Sequence, residues 1–339
     1  MTGKNYLNLA LESEFGVAPA TGWRGVAVED LGGHKIDVRN MQPKAMIYGQ
    51  QGPSTRGRRT LEGGAKGMIK TYLSSTGILA QLRLAFGEAA VTELVPDAAY
   101  QYVFSSAGIP SDSIAVQLGR EFGGGGQDRD TLVGGQASEL RFAQTLLPAS
   151  SGTSDEGLAK LELDVDYRKR DAAAIERLPT YPDPELYNSV GECKIQVGPD
   201  LGSLADECLR AWAFKYPTGL VFDDPCVSSV YRNKAARVAL PMPSLDMEWT
   251  YKTRDYMDAY LAGDVLAMRA SWQPTSEVYL LAPDIFPSVT IDIPAFQLTG
   301  DTPEESADNK TTQKLPADVL WNETDEMVTV TVVTSEADY

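Results

Sequence analysis

The chain has 339 residues, enough for one large all-β domain or two of ordinary size. Apolar residues make up 43% and charged residues 23%, which supports a buried core and excludes an intrinsically disordered chain. The net charge of −17 excludes nucleic-acid binding through a basic footprint, although an acidic wall suits a conduit that must not hold phosphate.

In chain order, the opening Met1–Asn5 lacks the basic and apolar regions of a signal peptide. Gln42–Gly64 reads as a long loop, rich in glycine and carrying the basic run Arg56, Arg58, Arg59. Ser74–Phe86 reads as a helix, with Ser75 or Thr76 as N-cap, an apolar stripe of Ile78, Leu79, Leu82 and Phe86, and Gly87 at its end. Ile114, Val116 and Leu118 alternate as in a half-buried strand. Gly123–Asp130, with four consecutive glycines, reads as a flexible hairpin tip. It lacks the Lys-Ser/Thr of a phosphate cradle.

Leu158–Tyr167 gives the clearest strand. Ala159, Leu161, Leu163, Val165 and Tyr167 face one way, and Lys160, Glu162, Asp164 and Asp166 the other. Leu178–Pro184 is proline-rich and reads as a linker. Leu204–Phe214 fits a helix at first and a strand later, where Cys208, Arg210, Trp212 and Phe214 alternate. Leu245, Met247, Trp249 and Tyr251 alternate with polar residues. Thr253–Ala262 reads as a second helix, with Met257, Tyr260 and Leu261 on one side and Gly263 at its stop. Val289, Ile291 and Ile293 form a strand, Asp301–Pro316 a polar loop, and Val328, Val330 and Val332 a final strand. The fold class is therefore mainly β, and no segment reaches the roughly 20 apolar residues that span a bilayer.

The chain carries an internal echo. Met68, Thr71, Tyr72, Ala80 and Leu82 match Met247, Thr250, Tyr251, Ala259 and Leu261 at an offset of 179. Pro110-Ser111 and Ile114 match Pro287-Ser288 and Ile291 at 177. A tandem duplication is expected, with one β domain over 1–180 and a second over 181–339. The alternative is one large β domain.

Catalytic equipment is sparse. The only histidine, His34, sits in a glycine-flanked turn and reads as a solvated turn residue. Cys193, Cys208 and Cys226 form no CxxC pair and read as reduced, mostly buried thiols. Asp164 and Asp166 read as part of a solvated or lumen-facing polar face, and Asp223-Asp224 lacks calcium-loop spacing. No catalytic, cofactor or metal site is expected. Arg56, Arg58 and Arg59 read instead as a loop tip that pairs with carboxylates on another subunit. Residues 1–70 hold ten Lys/Arg against six Asp/Glu, and residues 301–339 two against ten, an asymmetry that favours head-to-tail stacking.

Several segments, in this order, resemble the tail tube protein family of siphophages, particularly those infecting actinobacteria. Leu9–Ala20 resembles the family's opening strand and Glu-Ser-x-aromatic-Gly-Thr turn, with Val17 in place of Thr. Arg59–Gly63 resembles the glycine-ended lead into a strand and helix. Leu79–Gly87 resembles the leucine-rich helix, with Phe86 replacing Leu. Tyr100–Phe104 and Pro110–Gly119 resemble the paired strands that follow, and the C-terminal stretch from Ile285 through Val330 also resembles the family.

The resemblance implies a β-barrel or sandwich with a flanking helix, in rings that stack into a hollow virion tail tube. DNA would cross the lumen at infection. The implied partners are other copies of the chain, a tape measure protein, and tail terminator and tip proteins, with no cofactor and no membrane. A duplicated domain makes trimeric pseudo-six-fold rings the expectation and hexameric rings the alternative. Rival classes are a minor tail or decoration protein and a surface carbohydrate-binding β-sandwich.

Overall fold

The computed structural model describes residues 5–29, 33–41, 59–122, 126–145, 157–171, 180–181, 191–222, 231–250, 253–274, 280–300, 302–305 and 311–337. Alternating hydrophobicity dominates the sequence, and the fold is correspondingly mainly β, with two eight-residue helices among the described residues.

The first half contributes β1 (Tyr6–Leu11), β2 (Arg24–Val26), β3 (Lys35–Met41), β4 (Arg59–Tyr72), helix α1 (Leu79–Phe86), β5 (Ala90–Val95), β6 (Ala99–Ser105), β7 (Ile114–Phe122), β8 (Gly126–Thr145), β9 (Lys160–Tyr167) and β10 (Lys169–Arg170). The second contributes β11 (Cys193–Gly198), β12 (Ala205–Glu207), β13 (Leu209–Pro217), β14 (Leu220–Val221), β15 (Ala236–Arg237), β16 (Ser244–Thr250), helix α2 (Asp255–Ala262), β17 (Val265–Trp272), β18 (Ser288–Leu298), β19 (Thr302–Glu305), β20 (Thr311–Val319) and β21 (Thr329–Thr334).

All strand pairs are antiparallel; β14 and β15 form a separate two-stranded sheet, and most of the other strands form two layers. One runs β3-β4-β9-β8-β13-β16-β20. The other runs β12-β11-β17-β18-β21-β6-β5. They join at a corner where Phe296–Leu298 of β18 pairs with Ala317–Val319 of β20. A smaller flap, β2-β1-β7, extends the front half of β8.

Alternation places one side of each strand in a shared core. Leu161, Leu163, Phe142, Phe214, Leu245 and Met247 of the first layer meet Met268, Trp272, Val289, Ile291 and Val330 of the second. β8 belongs to the first half of the chain and β13 to the second, and they pair directly, as do β6 and β21. The two halves therefore share one sheet system and one core.

Several expectations are corrected. α1 starts at Leu79, after a turn in which the Thr76 N–H donates to Ser74 Oγ, and no side chain caps it. It is buried on nearly every side, against β6 and β8, so a stripe is the wrong description. α2 has no fully buried residue. It packs through Tyr256, whose ring lies 4.5 Å from that of Trp249, while Tyr260 and Leu261 are exposed.

Leu204–Phe214 is two strands, β12 and β13. A bulge between Leu209 and Ala211 breaks the alternation, so Leu209 is buried and Cys208 exposed. Each expected loop is partly strand: Arg59–Gly64 lies in β4, Gly126–Asp130 in β8, and Thr302–Glu305 and Thr311–Pro316 in β19 and β20. Pairing with a neighbouring strand outweighs the polar composition that suggested loops. Among the described residues, no helix is long and apolar enough to cross a membrane.

Candidate functional site

The side of the first layer opposite the core is a continuous charged surface. Cross-strand register sets Lys70 beside Glu162, Glu162 beside Arg141, and Arg141 beside Lys215. Farther along, Lys314 stands beside Glu248. These side chains share a face because alternate strand residues point the same way and their neighbours fill the core.

The charges are mixed and paired. Arg141 lies 3.3 Å from Glu162, Lys215 3.1 Å from Asp246, and Lys66 3.1 Å from Asp166. The cation of each pair is well exposed, and the pairing leaves the face with little net attraction for a polyanion. Asp164 lies among like charges. Burial raises its pKa first, and Glu139, Glu162 and Asp166 raise it further.

Beside this face, between β3, β4 and β9, lies a cleft of about 540 Å³ lined by Lys35, Lys66, Lys70, Ser138, Asp164 and Asp166. His34 is close by and half-buried. Its Nε2 lies 3.1 Å from the Tyr167 hydroxyl, and its ring crosses Gly67, where an added Cβ would fall 2.1 Å from the imidazole. It is therefore a packed residue, not a solvated turn residue.

Each layer also has an open edge. Among the described residues, β3 of the first layer pairs only with β4, and β5 of the second only with β6. Every residue of β5 from Ala90 to Leu94 is exposed. Unpaired edges of this kind invite pairing with another strand.

Arg56 and Arg58 lie outside the described residues. Arg59 begins β4, opposite Met41 of β3. Cys226, Asp223-Asp224, Tyr251 and most of the Leu178–Pro184 segment also lie outside them. Cys193 and Cys208 are free thiols. Cys193 is half-buried, its pKa pushed up to about 12 by burial, and Cys208 is exposed, contrary to the expectation of buried thiols. Among the described residues, no group of three or more His, Cys, Asp or Glu side chains forms a metal site.

Sequence reasoning missed a structural carboxylate. Glu12, at the end of β1, accepts hydrogen bonds from the Ser113 hydroxyl at 2.6 Å and from the Gly134 and Gly16 amides at 2.7 and 2.8 Å. Gly134, at φ +68°, is where β8 passes from the flap into the first layer. A glutamate in the Leu-Glu-Ser-Glu-Phe-Gly turn gave no sign of this distant partner.

No protein-family model matches the chain, and no curated protein matches it.

Proposed function

We propose that this chain is a structural protein of a virus particle, the building block of the tail tube of a long-tailed bacteriophage. The observation that carries the proposal is a two-layer sheet system with a shared apolar core, a paired-charge outer face on the first layer, and strand edges at β3 and β5 that are open among the described residues. The sequence resemblance to siphophage tail tube proteins points the same way.

In this reading, neighbouring copies join edge to edge, which removes exposed edges and makes a ring. The charged face lines the lumen. Its paired charges let DNA pass at infection without holding it. Arg56, Arg58 and Arg59 reach an acidic surface on an adjacent ring. If the offsets of 179 and 177 record a duplication, one chain supplies two of six ring positions, and three chains close a ring. Hexameric rings are the alternative. The tape measure, terminator and tip proteins are the other partners, and the location is the virion tail. The role requires no cofactor and no chemistry.

Negative-stain microscopy of the purified chain at high concentration tests this. Rings or tubes support it, and particles that stay single under all conditions refute it.

A further inference from the structure

An apolar ridge precedes β16. Val238, Leu240 and Met242 are 73%, 85% and 82% exposed in a segment that bends at the exposed Ala239, while Pro241 between Leu240 and Met242 is buried. Large side chains exposed in a row mark a contact surface. The segment is also short of backbone partners. Val238 donates to the Gly219 carbonyl, but no backbone hydrogen bond to Leu240 or Met242 is found among the described residues.

The other end of β16 opens into a groove. About 440 Å³ in volume, it is walled by Trp249, Tyr256, Ala259 and Leu266, with Cys208 at its side. Two aromatic rings and two aliphatic side chains make a receptor of the same chemistry as the ridge.

The charges around ridge and groove are opposite in sign. Residues 231–245 contain Arg232, Lys234 and Arg237 and no acidic residue. The groove is lined by Glu207 and Asp255, with Asp206 beside it on β12 and Asp258 on α2. Lys234 is exposed, and no ion pair to it is found among the described residues.

We infer that the ridge Val238–Met242 of one copy seats in the Trp249–Tyr256 groove of the next, making the head-to-tail contact that stacks copies along the β16 direction. Met242 and Trp249 are seven residues apart on an extended chain, about 23 Å at roughly 3.3 Å per residue. A knob at one end of a strand and its socket at the other form a heterologous interface, which in this axial arrangement repeats as an open stack. Arg232 pairs with Asp166 and Arg237 donates to the Gly108 carbonyl within the chain, so Lys234 is the cation that meets the acidic rim, setting orientation and speeding encounter. This inference rests on the tube reading and assigns its axial contact, leaving lateral ring closure to the strand edges.

The test uses full-length chains. One variant carries Leu240→Asp and Met242→Asp, and a second carries Ala259→Arg. All three positions lie outside the core, and thermal melts confirm folding. Each variant alone is expected to form rings that do not stack. Mixed, the two kinds are expected to form pairs of rings and stop, because one keeps its sockets and the other its knobs. Cys208 supplies a native reporter. Its maleimide labelling, located by peptide mass mapping, should slow at least tenfold when wild-type rings stack.

Tubes of normal length from either variant overturn the inference and leave the tube reading standing. So do tubes in which Cys208 labels as fast as in free subunits, since another occupant, or none, then fills the groove. A wild-type chain that never associates overturns both.

Discussion

The indole of Trp272 on β17 stacks on that of Trp212 on β13, with ring centroids 5.5 Å apart. The two strands belong to different layers and do not pair, so this contact joins the halves of the sandwich. Trp272 also donates its indole N–H to the Gln144 side-chain oxygen at 3.0 Å, which satisfies a polar group in the core. Trp272→Ala leaves a large cavity and a bereft glutamine. It is expected to lower unfolding free energy by about 3–5 kcal/mol, measured by urea denaturation. A loss below about 1 kcal/mol would show that the two layers do not depend on this stack.

Glu336 ties the end of the chain to the first half. Its carboxylate accepts from the Gly77 amide at 3.0 Å and from Arg24 at 3.2 Å. Glu336→Ala strips the partner from an amide just before α1. The expected cost is about 1–3 kcal/mol, read as a lower melting temperature. An unchanged melt would mean that the C-terminal segment is dispensable for packing α1.

Stability should depend on pH through three partly buried carboxylates. Burial raises the pKa of Glu12 and of Glu336 above the ordinary 4.5, and that of Asp164 above 3.8. A raised folded-state pKa means that the native state binds more protons than the unfolded chain. The associated stability is fully present below the unfolded values and is lost as pH rises through the raised ones. The melting temperature is therefore expected to fall as pH rises from about 4.5 towards neutrality. In Glu12→Gln the fall should be smaller. An identical pH slope in the two proteins would remove Glu12 from this account.

The basic run gives an assembly prediction. Replacing Arg56, Arg58 and Arg59 with Glu is expected to abolish tube growth while leaving the circular dichroism spectrum unchanged. Undiminished tubes would show that the run makes no contact between rings.

Much of the fold was legible in the sequence, for a physical reason. Strands with one wet face write a period of two into the chain, and Leu158–Tyr167 places Leu161, Leu163 and Tyr167 in the core as that pattern requires. Three features were hidden. The bulge at Leu209 shifts the phase of β13, and a single extra residue leaves no mark on composition. α1 is buried all round and α2 hardly at all, because burial depends on where the layers lie and not on helix spacing. Polar segments such as Thr302–Glu305 become strands because a partner strand takes up their backbone hydrogen bonds. The charged surface was half legible: alternation showed that Glu162 and Asp164 share a face, but only the register brought Arg141 and Lys215 beside them.

The central claim is that this chain builds rings of itself. Native mass spectrometry across a range of protein concentration tests it most directly. The account predicts a ring of three copies of the 36.8 kDa chain, or six if the ring is hexameric, and higher species that are whole multiples of that ring. A mass of 36.8 kDa at every concentration would contradict it.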